Sequence, residues 1–423
     1  MNVLIIGSGA REHAFCWKIK QSKKPTNLFV IPGNAGTAEL AKNVNIPIDD
    51  FKKIKEIILK HKIQLLIIGP EIPLINGLSD FVKNDNEIRN TLLVGPSKNG
   101  SRLEGSKDFS KEFMLRHNIP TAPYKTFHQD SLKEGIKYLS EISPPYVLKA
   151  DGPAAGKGVL IINDLFNAKE ELINMLSNNK FGKSGHKVVI EGFLEGIELS
   201  CFLLFDGESY LNLPNAKDYK RIGDGDLGLN TGGMGSISPV PFADKEFISK
   251  VEKKIIKPTI DGIIKDGIDY VGFLFIGIIK VDDEPYVIEY NVRMGDPETQ
   301  VVLPRIKNDF LDMMINTANG NLKSITLETE ESTYANVVMV SGGYPQSYEK
   351  GKKIIGLDQN HDSIILHAGT KKEGNQILTN GGRVLSIISK SSELSIALKK
   401  SYNTISSIDF DKKYYRKDIG FDL

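Results

Sequence analysis

The segment from residue 286 to residue 300 combines an acid, an amide and a guanidinium with the turn-forming sequence MGDPETQ. If it begins as a β-strand, alternation places four side chains on one face, about 7 Å apart, namely Val287, Glu289, Asn291 and Arg293. The other face is apolar or aromatic and comprises Ile288, Tyr290 and Val292. Because Mg²⁺ is usually bound by carboxylates and substrate phosphates, we predict a metal site at Glu289 and Asn291 and an anion site at Arg293. A half-buried strand with a polar outer face is the alternative.

A second segment predicts contacts with phosphate groups. Residues 151–158 read DGPAAGKG and connect two predicted strands. The GK[ST] ending of a Walker A loop is missing, so we interpret the segment as a lid of small residues that carries Lys157 over phosphates. Lys149 ends the preceding strand and Lys107 lies near the start of a predicted helix over 106–117, so both lysines are candidates for the same phosphates. Taken singly, each lysine is more often a solvated charge.

The next two predicted strands each have an acidic residue at one end. A strand over 188–191 ends in Glu191, and Glu198 begins the strand that follows. An acid beside exposed backbone suits an adenine amino group, and a second acid suits ribose hydroxyls, although a β-hairpin with acids at its tip is the alternative. The segment 218–235 is rich in glycine and alternates acids with bases. We interpret it as a substrate-binding loop without internal structure rather than a linker.

Short apolar runs in the first hundred residues predict the elements that position such groups. The runs at 3–6, 27–31, 65–68 and 92–94 are each followed by a glycine-containing loop. Strands that alternate with helices predict an open parallel sheet, in which ligands bind beyond the carboxyl ends of the strands. Glu12 occupies the third glycine position of a dinucleotide motif, and no acid follows the second strand at the ribose position. A phosphate-bearing ligand is therefore favoured over NAD.

Composition narrows the class of protein. The chain has 423 residues, 40% of them hydrophobic and 25% charged, with a net charge of +1; this length predicts about two to four domains. Nothing in this balance of positive and negative charges favours nucleic acid or an anionic membrane as a partner. The longest apolar run, 271–279, is too short to span a bilayer, and the first run lacks the basic flank of a secretory signal. Cys16 and Cys201 are expected to be reduced packing residues, and the cytoplasm is the expected location.

The last hundred residues predict a small α+β domain. Apolar runs at 336–340, 364–367 and 384–388 indicate strands, and residues 391–405 have helical spacing.

A series of motifs along the chain resembles those of the phosphoribosylamine–glycine ligases of the ATP-grasp superfamily. In order, they are GSGAREHA, GNAGT, GPEIPL, LEGSKDFSKEF, KADGPAAGKGV, NTGGMGSISP, GFLFIG and IEYNVRMGDPETQ. NTGGMG and GDPETQ are specific to this family, whereas the lid loop indicates only ATP-grasp. The resemblance spans essentially the whole chain. It implies α/β and α+β domains: a Rossmann-like domain over 1–102, an ATP-grasp domain pair over 103–326 with a lid subdomain over about 122–192, and a C-terminal α+β domain over 327–423.

The resemblance also implies roles for individual residues. The expected ATP-binding residues are Lys107, Lys149, Gly156, Lys157, Gly158, Glu191, Phe193, Leu194 and Glu198. The expected substrate-binding residues are Gly9, Arg11, Glu12, Asn34, Gly36, Thr37, Gly69, Pro70, Glu71, Asp218, Asn230 and Gly232. Mg²⁺ or Mn²⁺ is expected at Glu289 and Asn291, and glycine is expected near the implied catalytic residues, Arg293 and Asp296.

The sequence departs from the family pattern at several positions. Pro153 replaces the usual leucine of the lid, which is expected to stiffen it. Ala216, Lys217 and Tyr219 stand where serine, glutamine and histidine are common, so no role is assigned to these three. The predicted strand over 273–280 carries no carboxylate, although many ATP-grasp enzymes have a metal ligand there. Metal binding is therefore expected to depend on the two ligands already named.

The implied reaction is ATP-dependent ligation of glycine to 5-phosphoribosylamine through a glycyl phosphate, in purine biosynthesis. It requires small-molecule substrates and a divalent metal, with no nucleic acid or membrane partner, and a monomer is expected. A carboxylating or formate-using purine enzyme is one alternative, against which NTGGMG and GDPETQ argue. A dinucleotide-dependent oxidoreductase and a nucleotide-binding module without turnover are the others. Glu12 and the polar face from Glu289 to Arg293 argue against both.

Overall fold

Residues 2–94 contain an open sheet of five parallel strands. The computed structural model describes residues 1–152, 158–177 and 186–423. The strands are β1 (Asn2–Gly7), β2 (Asn27–Pro32), β3 (Lys42–Asn43), β4 (Leu65–Ile68) and β5 (Leu92–Val94), in the order β3-β2-β1-β4-β5. The helices are α1 (Ala10–Ile19), α2 (Thr37–Leu40), α3 (Phe51–Lys60), α4 (Glu71–Ile75) and α5 (Leu78–Asn84). The predicted parallel sheet is confirmed, and the loops after β1, β2 and β4 lie at one edge because these strands are parallel.

A four-stranded antiparallel sheet follows. Its strands are β6 (Tyr124–His128), β7 (Tyr146–Ala150), β8 (Val159–Ile162) and β9 (Lys187–Gly192), in the order β6-β9-β7-β8. The helices of this region are α6 (Arg102–Gly105), α7 (Lys107–Arg116), α8 (Leu132–Glu141) and α9 (Leu165–Ser177). Leu139 and Leu172 of α8 and α9 pack with Leu148 and Ile190 of the sheet. This sheet therefore places Lys149 and Glu191 on adjacent strands.

The largest sheet runs from the middle of the chain into the last hundred residues. The remaining strands are β10 (Ile197–Phe205), β11 (Tyr210–Asp218), β12 (Arg221–Gly223), β13 (Leu227–Asn230), β14 (Gly235–Ser238), β15 (Gly272–Val281), β16 (Glu284–Asn291), β17 (Thr333–Ser341), β18 (Ile364–His367), β19 (Thr370–Glu373), β20 (Gln376–Thr379), β21 (Arg383–Ser391) and β22 (Lys413–Tyr414). Nine of them form one sheet in the order β16-β15-β10-β11-β14-β17-β21-β18, with β22 paired to β17. Strand β14 joins the two halves through β11 and β17. The pairs β12–β13 and β19–β20 form separate hairpins.

Helices pack the parallel sheet against the large sheet. They are α10 (Lys245–Val251), α11 (Lys257–Lys265), α12 (Thr299–Arg305), α13 (Phe310–Ala318) and α14 (Leu394–Ser407), with a π-helical turn between α10 and α11. Phe15 of α1 stacks on Phe273 of β15 and on Phe310 of α13, with ring centroids 5.7 and 5.8 Å apart. Burial of such large rings is a major favourable term in folding, so the loops of the first sheet are fixed relative to β15 and β16.

A β-bulge places the side chain of residue 287 on a different face of the strand from the one predicted. In the pairing of β15 with β16, Gly277 lies opposite Glu289, whereas Ile278 lies opposite Val287. Ile288 is therefore an extra residue, and a bulge reverses the alternation on one side of it. Val287 is fully buried in the core. The prediction that Val287 shares a face with Glu289 was wrong, because alternation cannot reveal a bulge made by an apolar residue.

The strand is also shorter than predicted. It ends at Asn291, and Arg293 lies in the bend that follows. The backbone N–H of Val292 donates to Oε2 of Glu104 at 2.8 Å. Because a side chain takes this donor, the ladder stops there.

The segment 218–235 has internal structure, contrary to the prediction. Strands β12 and β13 form a hairpin within it. The turn between them places Gly225 at φ 67° and Asp226 at φ 55°. Both residue types tolerate the left-handed region, and this explains how so many short polar residues form a hairpin.

Candidate active site

An acid, an amide and a guanidinium lie side by side at the end of β16. Nδ2 of Asn291 donates to Oε1 of Glu289 at 3.4 Å, and Nη2 of Arg293 donates to Oδ1 of Asn291 at 3.0 Å. Gly277 lies opposite Glu289 on β15, where a Cβ would be 3.4 Å from Cγ of Glu289. The structure therefore brings together the three groups that the sequence placed in a row, although Arg293 is not part of the strand.

Arg293 joins this row to residues that precede the two antiparallel sheets in the chain. Its Nη2 lies 3.1 Å from Oε1 of Glu104, and its Nε lies 3.7 Å from Oε2 of Glu71. Pro70 precedes α4, and Glu71 is the first residue of that helix. Among the described residues, the buried Nε of Arg293 has no hydrogen-bond acceptor. The guanidinium therefore has one N–H available for a bound anion.

The charges around Arg293 shift the pKa values of its carboxylate neighbours. Burial raises the pKa of Glu104, an effect that Arg293 opposes. Burial also acts to raise the pKa of Glu71, but Arg293 and then Arg11 outweigh it, so the net shift is downward. Glu71 is therefore charged at neutral pH. Glu104 was missed by the sequence analysis, although it lies within the quoted motif LEGSKDFSKEF.

The loop after β1 lies against the turn that follows Arg293. Nη1 of Arg11 donates to the carbonyl oxygen of Met294 at 3.1 Å. A Cβ at Gly9 would lie 3.0 Å from Oδ2 of Asp296. The residues expected at the phosphoribosylamine site and those expected at the glycine site are therefore neighbours in the structure.

Glu12 supports this loop from beneath. Its Oε2 accepts from the backbone N–H of Gly9 at 2.6 Å, and its Oε1 accepts from Nε of Arg11 at 2.6 Å. The side chain is almost fully buried. It fills the space between Gly7 and Gly69, where a Cβ at Gly69 would lie 2.1 Å from Oε1. In this structure both oxygens of the expected substrate ligand Glu12 are used to shape the loop.

Asn34 and Thr37 are likewise occupied by protein groups. The backbone N–H of Asn34 donates to Oγ1 of Thr37 at 2.7 Å, and the backbone N–H of Thr37 donates to Oδ1 of Asn34 at 2.9 Å. Nδ2 of Asn34 donates to the carbonyl oxygen of His367 at 2.7 Å. Gly36 packs on His13, where a Cβ would be 2.2 Å from Cε1. These residues fix the loop after β2 against β18.

Asp296 lies between two arginines. Nη2 of Arg383 is 3.5 Å from Oδ2 of Asp296, and Nη1 of Arg383 donates to the carbonyl oxygens of Asp296 and Gly232. Gln300 donates to Oδ1 of Asp296 at 2.8 Å. Burial acts to raise the pKa of Asp296, but Arg383 and Arg11 outweigh it, so the pKa is lowered. Asp296 therefore remains a carboxylate beside the loop after β1.

The expected phosphate lysines lie on adjacent elements. Nζ of Lys107 donates to the carbonyl oxygen of Ala150 at 2.9 Å, and burial lowers the pKa of Lys107. Nζ of Lys149 lies 3.0 Å from both oxygens of Glu191. A lysine that the sequence analysis did not name, Lys111, contacts the same carboxylate at 3.0 Å. Its signal was helical spacing, since it follows Lys107 by four residues.

The segment 191–194, which the sequence analysis predicted to contact adenine, differs from that prediction in one respect. The carboxylate of Glu191 is buried and neutralised by two lysines, so it is not free for an adenine amino group. The backbone after it stays accessible, because Phe193 is exposed and Leu194 is half-buried. The carbonyl oxygen of Gly158 accepts from the N–H of Ala150 at 2.8 Å. Two expected lid residues, Gly156 and Lys157, and the departure at Pro153, lie outside the described residues.

A second charged cluster lies where β11 ends. Lys220 donates to Oε2 of Glu198 and lies 3.5 Å from Oδ1 of Asp218. Glu198 and Lys220 remain about two-fifths exposed, with side-chain exposures of 42% and 41%. Lys220 is the largest cause of the lowered pKa of Glu198. Asn230 lies apart at the exposed end of β13, paired with Arg221 in the hairpin.

The side chains at the end of β16 offer oxygen ligands of the kind that a hard divalent cation prefers, a carboxylate from Glu289 and an amide oxygen from Asn291. In this structure Nδ2 of Asn291 faces Glu289 and Oδ1 of Asn291 accepts from Arg293, so a metal between the two side chains requires the amide to turn its oxygen toward Glu289. Within residues 1–152, 158–177 and 186–423, no group of three or more His, Cys, Asp or Glu side chains is arranged for a metal ion. Magnesium is commonly bound in this way, by few protein ligands together with phosphate oxygens and water.

Comparison with known families agrees with this architecture. Residues 105–299 match the family model described as phosphoribosylglycinamide synthetase, ATP-grasp (A) domain. Residues 1–104 match the N domain of the same synthetase, and residues 334–422 match its C domain. The fold and the site together define an ATP-grasp enzyme, a class that uses ATP with a divalent metal ion.

Similar sequences and a similar solved structure assign the chain to one family within this class. A phosphoribosylamine–glycine ligase of Caldanaerobacter subterraneus is 42% identical over 420 residues, or 99% of each chain. A bifunctional purine biosynthetic protein of Pichia angusta is 44% identical over 427 residues, which are 99% of this chain but 53% of that longer protein. The crystal structure of phosphoribosylamine–glycine ligase from Thermotoga maritima matches with a TM-score of 0.85 at 35% identity, covering 99% and 100% of the two chains. The chain belongs to the phosphoribosylglycinamide synthetase family, and its activity is ATP-dependent ligation of glycine in purine biosynthesis.

Proposed function

We propose that this chain joins glycine to 5-phosphoribosylamine through a glycyl phosphate intermediate. A carboxylate is a poor electrophile because its leaving group would be oxide. Attack of a glycine carboxylate oxygen on the γ-phosphorus breaks the bond to ADP and gives an acyl phosphate, whose leaving group is phosphate. The amine nitrogen of phosphoribosylamine then attacks the carbonyl carbon, the bond to phosphate breaks, and the nitrogen loses a proton. The products are glycinamide ribonucleotide, ADP and phosphate.

Arg293 is proposed to orient the glycine carboxylate. The observation that carries the proposal is its position, since it contacts Asn291 on the metal side and Glu71 on the side of the N-terminal loops. Its Nε–H has no acceptor among the described residues, as expected of a donor kept for a substrate anion. Asp296 remains charged in the same cleft, and we propose that it orients an amino group, either that of glycine or that of phosphoribosylamine.

The nucleotide is proposed to lie between the two antiparallel sheets. Lys107 and Lys149 would neutralise phosphate charge, and the accessible backbone at Phe193–Leu194 would contact adenine. Glu198 is half-exposed, as a ligand for ribose hydroxyls must be. Gly156, Lys157 and Gly158 are proposed to cover the phosphates, as the family resemblance implies.

Mg²⁺ or Mn²⁺ is proposed to bind at Glu289 and Asn291. When bound, the metal supplies positive charge that offsets the charge developing on the transferred phosphoryl group. The protein's own contribution is to fix the amide and the carboxylate side by side and to keep Arg293 on the far side of Asn291.

Phosphoribosylamine is proposed to bind on the loops after β1, β2 and β4. Arg11 lies against the carbonyl oxygen of Met294 and supplies a guanidinium for the sugar phosphate. Glu71 supplies an acceptor for ribose hydroxyls. Glu12, Asn34 and Thr37 act by shaping these loops, because their polar atoms already have protein partners.

The cytoplasm is the proposed location. Both cysteines are free and buried, as expected in a reducing compartment. Among the described residues, no helix is both long and apolar enough to cross a membrane. A monomer remains a prediction, which sedimentation equilibrium would test.

Substrate omission tests the proposed reaction. Protein is mixed with Mg-ATP, glycine and freshly generated phosphoribosylamine, and ADP and phosphate are measured. We expect ADP formation to depend on glycine and glycinamide ribonucleotide to appear in equal amount. ADP formation that is unchanged without glycine would refute the ligase mechanism.

A further inference from the structure

Residues 217–220, which end β11 and continue beyond it in an extended segment, divide their side chains between two environments. Asp218 and Lys220 contact each other and lie beside Glu198, at the proposed ribose position. Lys217 and Tyr219 point the other way and are buried. Such alternation is the geometry of an extended strand. One side of the strand therefore belongs to the nucleotide cleft, and the other must be fixed by different contacts.

The carboxylate of Asp422 contacts both residues on the second side, Lys217 and Tyr219. Nζ of Lys217 lies 2.9 Å from Oδ2 of Asp422, and the hydroxyl of Tyr219 donates to Oδ1 of Asp422 at 2.8 Å. Only 1% of Tyr219 is exposed. Hydrogen bonds that involve a charged group are about twice as strong as neutral ones. Asp422 therefore fixes Lys217 in β11 and Tyr219 just after it, two buried residues on the same side of the chain.

Asp422 is itself held by the segment 416–423. Arg416 is fully buried and donates from Nε and Nη2 to both carboxylate oxygens of Asp418, each at 2.8 Å. Nη1 of Arg416 donates to Asp226, and Oδ2 of Asp418 accepts from the N–H of Gly225 at 2.6 Å. The segment is thus tied to the β12–β13 hairpin as well as to the end of β11.

We propose that Asp422 is a positioning residue for nucleotide binding. Through Lys217 and Tyr219 it fixes the end of β11 and the residues after it, from which Lys220 contacts Glu198. The inference rests on the proposed placement of the nucleotide beside Glu198. It also gives a role to positions 217 and 219, where the sequence departs from the family pattern, because these two side chains are the ones that bind Asp422.

Direct binding of MgADP, measured by calorimetry on the full chain, tests the inference without turnover. We expect Asp422→Asn to raise the Kd of MgADP about tenfold, because misplacement of a contact by a fraction of an ångström weakens it strongly. Asp411→Asn is the matched control, since Asp411 is exposed and pairs with Lys352; its Kd should equal that of the unaltered protein. The KM for ATP should rise with the Kd, while the KM for glycine stays within about twofold.

Two further variants keep the test decisive. Tyr219→Phe removes only the hydroxyl that donates to Asp422 and should raise the Kd about threefold. In the double variant Lys217→Met, Asp422→Asn, the effects should be less than additive, because both residues act through one contact. An unchanged Kd in both Asp422→Asn and Tyr219→Phe would overturn the inference, as would an equal rise in the KM values for ATP and glycine. Failure of the unaltered protein to bind MgADP would instead contradict the proposed function.

Discussion

Nη2 of Arg293 lies 3.1 Å from Oε1 of Glu104, and the other oxygen of Glu104 accepts the backbone N–H of Val292. One carboxylate thus fixes both the guanidinium and the backbone that carries it. Since Glu104 is in α6 and Arg293 follows β16, this contact sets the position of the proposed glycine ligand relative to the nucleotide sheet. Removal of this contact should therefore change kcat/KM for glycine more than it changes the KM for ATP.

Glu104→Gln should lower kcat/KM for glycine about tenfold or more, because the neutral amide no longer balances the guanidinium and Arg293 moves toward Glu71. The KM for ATP should change little. Glu87→Gln is the control, because Glu87 is an exposed partner of Lys55. Steady-state kinetics at varied glycine would show the effect, and an unchanged kcat/KM for glycine would exclude this role for Glu104.

Glu289→Gln should lower turnover by about a hundredfold at low Mg²⁺ while the protein stays folded, because a carboxylate is the stronger of the two metal ligands. Glu284→Gln changes an acid at the start of the same strand, where it pairs with Lys250 and Lys254, and should leave activity intact. Activity as a function of Mg²⁺ concentration gives the apparent metal affinity. Equal metal dependence in the two variants would refute the assigned ligand.

Lys111 predicts a pH-dependent contribution to stability. Burial lowers its pKa to about 8, despite Glu191. Unfolded lysine titrates near 10.4. Between pH 8 and pH 10.4 the lysine is protonated in the unfolded chain but largely deprotonated in the folded protein. The contribution of this residue to the free energy of unfolding therefore rises with pH between these two values and is constant below pH 8.

Comparison of the unaltered protein with Lys111→Met isolates this pH-dependent contribution to the free energy of unfolding. The difference in the free energy of unfolding should rise in favour of the unaltered protein between pH 8 and pH 10, by on the order of 3 kcal/mol. Lys137→Met, at a position that is 80% exposed, should show no such trend. Denaturant titrations at several pH values provide the measurement. A pH-independent difference for Lys111→Met would show that its pKa is not lowered.

Gly69→Ala should destabilise the protein by about 1 to 3 kcal/mol, because the added Cβ would lie 2.1 Å from Oε1 of Glu12. The displaced Glu12 would release Gly9 and Arg11, so the KM for phosphoribosylamine should rise as well. Gly192→Ala is the control for added volume, since its Cβ would meet only ordinary contacts at 3.6 Å or more. If thermal melts show equal midpoints for the two variants, the packing role of Glu12 is wrong.

The sequence predicted the parallel sheet because four of its five strands are short apolar runs followed by turn residues, as at Leu65–Ile68. The fifth strand, Lys42–Asn43, has two polar residues and was not predicted. The sequence also placed Glu289, Asn291 and Arg293 together. It could not reveal the bulge at Ile288, since an apolar residue in an alternating strand gives no local sign of an extra position. The contact of Asp296 with Arg383 joins distant parts of the chain, and no periodicity reports such proximity.

Labelled glycine gives the most direct test of the central claim, which is that the cleft activates the glycine carboxylate by phosphoryl transfer. With both carboxylate oxygens of glycine replaced by ¹⁸O, mass spectrometry of the products follows each atom. We predict that one labelled oxygen appears in phosphate and the other in the amide of glycinamide ribonucleotide, because the acyl phosphate breaks at its carbonyl carbon. Phosphate without ¹⁸O, formed together with the amide, would contradict the account.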